Sequence, residues 1–164
     1  MQQPTLQTIA GKKLVGMSTE TKLATHNPAT LWQQFMPRRH EVGVIVGPEL
    51  YSVQVYDAGF VKGEFTANSV FRDWAAVEVT DSTDLPDGME QLNVPAGLYA
   101  VFLHKGPASA FPATAGYIFG EWLPNSNYTL DDRPHFEVMG AKYLGHEHPD
   151  SEEEVWIPVK LRLV

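Results

Sequence analysis

Two short runs in the last third of the chain carry the residues most able to do chemistry. In Phe136-Glu137-Val138-Met139, strand alternation puts Phe136 and Val138 on one face and Glu137 and Met139 on the other. In Val155-Trp156-Ile157-Pro158-Val159 the same period groups Val155, Ile157 and Val159 and leaves Trp156 and Pro158 opposite. The aliphatic sides fit against a helix, which assigns the Glu137 carboxylate and the Trp156 indole to a second, shared face. A carboxylate among aromatic rings is poorly solvated, and an entering cation offsets that cost by sitting between the charge and the ring quadrupoles. Alternation alone reads Glu137 as a glutamate on an exposed sheet face and Trp156 as core; enclosed together, the two would recognise a hydrophobic, cationic small molecule. An apolar groove with one weakly directional acid suits bulky planar cations of many shapes.

Other chemistries find less support in the residues. His146-Glu147-His148 has the alternation that strand-borne metal ligands need, with Asp150 and Glu152-Glu153-Glu154 nearby. Pro149 and the acidic run read instead as a solvated loop, and no metal is assigned. His104-Lys105-Gly106 reads as a structural strand end, and Arg38-Arg39-His40 suits a helix C-terminus as well as any phosphate. There is no Gly-rich phosphate loop, no Gly-x-Ser-x-Gly elbow and no helix-turn-helix, so no cofactor is implied. The chain has no cysteine, which removes disulfides, thiolate zinc sites and cysteine nucleophiles together. Its net charge of −8 works against direct binding to nucleic acid or to anionic membranes. Nowhere do about 18 apolar residues run together, and Met1-Gln2-Gln3-Pro4 opens no signal-like stretch, so the default expectation is a cytoplasmic protein.

The elements that must position these residues emerge when the 164-residue chain is compared with itself. Asn27-Pro28-Ala29-Thr30 opens a segment ending Phe35-Met36-Pro37, and Phe111-Pro112-Ala113-Thr114 opens one ending Trp122-Leu123-Pro124. Both read as helices with Pro in the first turn and Pro beyond the end. Tyr51-Ser52-Val53-Gln54-Val55-Tyr56 parallels the run ending Phe136-Glu137-Val138-Met139, setting Gln54 in the mirror position of Glu137, and Trp74 matches Trp156. The offsets are 84, 83 and 82 residues in the same order. Apolar runs Leu14–Ser18 and Leu98–Leu103 precede the helices, and Asp81–Gly88 is a linker. The sequence therefore predicts one α+β domain over residues 1–164, with a first strand-helix-strand repeat at about 5–80, a linker at about 81–90 and a second repeat at about 91–164. Trp122 belongs to the core one turn after Ile118, with Glu121 solvated beside it, and Tyr99 and Phe102 fall on opposite strand faces.

The runs Pro95–Phe102, His104-Lys105-Gly106, Glu121-Trp122-Leu123-Pro124-Asn125-Ser126, Pro134-His135-Phe136-Glu137 and Trp156-Ile157-Pro158-Val159 resemble the GyrI-like domain. That is the effector-binding domain of AraC-type and multidrug-sensing transcription regulators. The resemblance implies two pseudo-symmetric strand-helix-strand units whose antiparallel sheets carry helices on their outer side and form, at the repeat junction, a groove for hydrophobic, often cationic, ligands, with Glu137 as the characteristic buried acid. The expected ligand-binding residues are Glu137, Trp156, Trp74, Tyr56, Met139 and Gln54. The first half departs from the family pattern, with Ser52 where Gly is common. With no DNA-binding module in sight, the expectation is a standalone member that binds or sequesters its ligand. Two alternatives accompany it. One is a hydrolase of cyclopropane-containing or similar electrophilic compounds, with Glu137 activating water, although Trp156 stands where a phenolic partner is first sought. The other is a DNA gyrase inhibitor acting as a protein partner through the acidic run Glu152-Glu153-Glu154.

Overall fold

The computed structural model describes residues 2–81 and 84–163, so Ser82 and Thr83 of the predicted linker lie outside the described residues. The elements run β1 (Thr5–Ile9), β2 (Lys12–Thr21), α1 (Pro28–Phe35), β3 (Ile45–Val55), β4 (Phe71–Val79), β5 (Glu90–Val94), β6 (Gly97–Lys105), α2 (Phe111–Tyr117), β7 (Tyr128–Leu130), β8 (His135–Met139) and β9 (Glu152–Leu161). They form an α+β fold in which a nine-stranded sheet has the order β1-β6-β9-β8-β3-β4-β2-β5, with β7 on β9. All the pairings are antiparallel. The two ends of this order are joined by the chain itself. β1 and β2, broken at Ala10–Gly11, run against β6 and β5 in a register that carries through unchanged, from Thr5 opposite Val101 to Gly16 opposite Glu90. A sheet whose ends meet in this way must curl, and the result is a half-barrel. Gly16 marks how tightly the strands approach, since a Cβ there would land on the Ala75 carbonyl.

The curl gives the sheet an inner and an outer face with different covers. The inner face buries Leu14, Tyr51, Val53, Trp74, Ala76, Tyr99, Val101, Phe136 and Trp156 against one another, without a helix on top. Ring contacts of 5.2 Å between Tyr99 and Phe136 and 5.3 Å between Phe136 and Trp156 hold its centre. Each such large side chain contributes roughly 1.5–3 kcal/mol by leaving water. Outside, Leu31 and Phe35 of α1, one helical turn apart, pack on Val15, Ala75, Val77 and Val79 of β2 and β4. On the other flank Phe111, Tyr117, Ile118, Phe119 and Trp122 pack on Ala100, Phe102, Val155, Ile157 and Val159 of β6 and β9. The helices therefore cover the two flanks and leave β3 and β8 between them.

Two expectations need correction. Pro37 and Pro124 do not end their helices: the chain continues as a 3-10 segment over Met36–Glu41, and as a π-helical segment over Ile118–Trp122 followed by an α-turn over Leu123–Asn125. Each Pro sits in the first turn of a new helical segment, where its missing N–H would have had no partner. Glu152-Glu153-Glu154 is not a solvated loop but the start of β9, paired with His104 and its neighbours on β6. His104 itself is buried, its Nδ1 2.7 Å from the Thr114 hydroxyl and its Nε2 3.1 Å from the Pro107 carbonyl, which ties β6 to the start of α2. At the start of the first repeat, β1 is a strand of mostly exposed residues that pairs with β6 and closes the curl.

Candidate functional site

Pairing register, more than any single strand, decides what surrounds Glu137. Glu137 stands opposite Ser52 on β3 and Val155 on β9, so it belongs to the outer face, in the gap between the two helical flanks. Alternation brings Gln54 and then Tyr56 up the same side of β3, and His135 and Met139 up the same side of β8. The Gln54 side-chain amide donates to Glu137 Oε2 at 3.3 Å and to Ser52 Oγ at 3.3 Å. Tyr56, Phe111, Ile118, Phe119 and His135 close a recess over the Glu137 carboxyl, with a volume of about 40 Å³.

The electrostatics of this recess follow from its dryness. Burial pushes the Glu137 carboxyl up from 4.5 to about 8, and the nearby Glu153 carboxylate pushes the same way, against the bonds from Gln54 and Ser52. Burial raises Glu153 to about 7. His135, caught among the rings of Tyr56, Phe60 and Phe119, is depressed by burial to about 3, with Arg133 adding to the effect, and is therefore a neutral imidazole. Tyr56 is held in its phenol form, mainly by burial and then by Glu137 and Asp73. Asp73 is 2% exposed and bonds His26 Nε2 at 2.9 Å through one oxygen, while the other has no partner among the described residues. No Lys or Arg among the described residues forms an ion pair with Glu137. A carboxyl, a phenol and a neutral imidazole, enclosed by rings, can accept a cation but offer no positive charge of their own.

The structure brings Glu137, Gln54, Tyr56 and Met139 onto one face and places the two tryptophans in the opposite row, although Trp156 still borders the recess. Trp156 pairs directly with Phe136, not with Glu137, so its ring lies on the inner face, stacked on Phe136 at 15°, and its Nε1 donates to Glu154 at 3.2 Å. Trp74 stands opposite Val53 in that same inner row and is 5% exposed. The sequence reading that put carboxylate and indole on a common face is thereby corrected. Alternation within a strand does not say which of its two faces matches which face of a neighbour. Met139 is buried opposite Leu50. Residues that sequence reasoning passed over are His135, Phe119, Phe60 and the two further acids Asp73 and Glu153. Of these His135 left a signal, since it lies two residues before Glu137 and so shares its side of β8.

With this geometry in view, the kinship of the chain is clear. Residues 2–160 match the family described as the GyrI-like small molecule binding domain, and the chain belongs to that family. It is 29% identical over 130 residues to the transcriptional regulator BrlR of Pseudomonas aeruginosa, a match covering 79% of this chain and 45% of the regulator. The chain thus spans about half the length of that relative. Among solved structures it is similar to SAV2435 bound to tetraphenylphosphonium, with a TM-score of 0.72 at 17% identity, covering 97% of this chain and 94% of that one. The C-terminal domain of EcmrR gives 0.70 at 16% identity, covering 98% of both chains. At these identities the two structural likenesses speak for the fold. Among the described residues no helix is long and apolar enough to cross a membrane.

Proposed function

We propose that the protein binds a hydrophobic cation in the recess between its two helical flanks, with the Glu137 carboxylate as counter-ion. The observation that carries this reading is a carboxyl enclosed by aromatic side chains, hydrogen-bonded by Gln54 and without a cationic partner among the described residues. Such a group is costly to ionise alone and becomes favourable to ionise beside a cation. Gln54, Tyr56 and Met139 share its face and would line the ligand, while Trp74 and Trp156 would act from the inner face by holding the floor strands. The tetraphenylphosphonium bound to SAV2435 is a ligand of this chemical class.

In the same reading, residues 1–164 form one domain of two pseudo-symmetric repeats, with β3 and β8 as the central pair. Support comes from the element order, strand, helix and two strands, which recurs at offsets of 84 to 82 residues. The groove would then lie at the repeat junction. Isothermal titration with tetraphenylphosphonium tests the function. Saturable binding is expected, weakened by about 1–3 kcal/mol in Glu137→Gln, the range for losing a charge-assisted contact. No binding, or equal affinity in the variant, overturns the reading.

A further inference from the structure

A volume of about 40 Å³ holds little more than a water molecule, whereas one benzene ring needs a cavity of roughly 150 Å³. The segment between β3 and β4 packs against three of the rings that line the recess, those of Tyr56, Phe119 and His135. Phe60 lies face to face on Tyr56, 4.0 Å between centroids and 17° between planes, the shortest ring separation among the described residues. Its edges meet His135 at 5.0 Å, Phe65 at 5.0 Å and Phe119 of the second helical flank at 6.0 Å. The segment that carries it is bound chiefly to itself. Phe60 N–H donates to Asp57, Gly63 N–H to Phe60 and Glu64 N–H to Gly59, and among the described backbone bonds only that from Ala24 N–H to the Ala67 carbonyl, at 3.0 Å, leaves it for another element. A turn tied internally, and to the body mainly by ring contacts, can swing out as a unit at little loss of backbone bonding.

We propose that Phe60 occupies the aromatic subsite of the recess and sets its selectivity. A ligand enters by taking the place of the Phe60 ring on Tyr56, so the site accepts molecules that carry an aromatic ring beside the cationic centre and turns away small aliphatic cations. The inference rests on the small-molecule reading of the same recess and adds the ligand feature that the acid alone does not specify. Stacking on Tyr56 is what an incoming ring must match, because a ligand without one would leave both Tyr56 and the displaced Phe60 uncovered. Displacement also lowers the apparent affinity by the fraction of molecules with the turn open.

The test compares the full chain with Phe60→Ala and Phe60→Trp, each checked for an unchanged circular dichroism spectrum, using tetraphenylphosphonium, tetramethylammonium and toluene. Phe60→Ala should bind tetraphenylphosphonium on the order of tenfold more tightly, because the competing ring is gone. Phe60→Trp should bind it less tightly, and tetramethylammonium should bind none of the three. Phe60→Ala should also gain a saturable toluene site that the parent protein lacks, a result that involves no cation. If tetraphenylphosphonium binds the parent and Phe60→Ala equally, the displacement proposal fails and the cation reading stands. Toluene binding to Phe60→Ala with no phosphonium binding to any form upholds the aromatic subsite and sinks the cation reading. Absence of both toluene and phosphonium binding in a folded Phe60→Ala overturns the proposal.

Discussion

Across the middle of the sheet, the inner row Trp74, Val53, Phe136, Trp156, Val101 and the outer row Ala75, Ser52, Glu137, Val155, Phe102 differ by one residue in every strand. Nothing covers the inner row except the curl of the sheet itself, so its positions carry large rings that fill the space by touching one another. The outer row is packed under helices at its ends and lies beneath a small ring-lined recess in the middle. Its ends are Ala75, Val155 and Phe102, which pack beneath α1 and the α2 flank, and its middle is Ser52 and Glu137. The lesson is that polarity follows the cover. An acid survives at the centre of this sheet because it stands in a recess between the helical flanks, where Gln54 bonds it, while its neighbours in the chain, Phe136 and Val138, face the closed interior.

The contrast can be broken first at the inner row. Phe136→Ala should cost about 3–5 kcal/mol of stability, the usual price of emptying a ring-sized space in a packed core, read as a fall in the midpoint of urea unfolding. Glu137→Gln, one residue away, should raise unliganded stability at neutral pH, because the glutamate must take up a proton on folding there and a glutamine need not. If both substitutions destabilise equally, the two faces are not chemically distinct.

The next effect is on pH dependence. The Glu137 carboxyl, raised from 4.5 to about 8, is neutral in the empty protein at pH 7, and a bound cation demands the charged form. Binding therefore releases a proton, and affinity should rise by up to about tenfold per pH unit towards pH 8 and flatten above it. Groups facing Glu137 from the other strands modulate this slope. Glu153 on β9 ionises around 7 and adds to it, Asp73 on β4 and Tyr56 on β3 shape the field, and His135 on β8 stays neutral. The sign for folding is the reverse. A carboxyl whose folded value is raised stabilises the fold below 4.5, and that contribution is lost as pH rises through about 8, so the empty protein should weaken over this window. Titration of tetraphenylphosphonium at about pH 6, 7 and 8 checks the first sign and urea unfolding of the empty protein at about pH 5, 6, 7 and 8 the second, with Glu137→Gln as the flattened control in both. The smallest effect belongs to Gln54→Ala. Its amide favours the charged carboxylate at 3.3 Å, so its loss should raise Glu137 further and weaken binding by up to about 1 kcal/mol.

Several parts of this molecule were legible in the chain. The α1 and α2 starts follow from Pro28 and Pro112 placed in a first turn, and the strands around Val53, Val138 and Ile157 follow from alternation. Glu137, Gln54 and Tyr56 could be selected because they share parity along two runs that match each other. Phe60 could not, since it lies in a turn with no period and reaches the site only because that turn folds back over Tyr56. Glu153 was hidden inside an acidic run that reads as solvent-exposed until its pairing with His104 puts it in a strand.

By itself the sequence determined the alternation of each strand, the helix starts, the absence of thiol chemistry and the single acid that stands among apolar neighbours. These are local properties, set by residue type and a period of two or 3.6. Only the tertiary structure decided which alternate set of one strand joins which set of the next. Pairing Phe136 with Trp156 sent both rings to the inside and left Glu137 outside with Ser52 and Val155. A shift of one residue in that register would have exchanged the two faces, and register is fixed by contacts between segments far apart in the chain, which no local pattern contains.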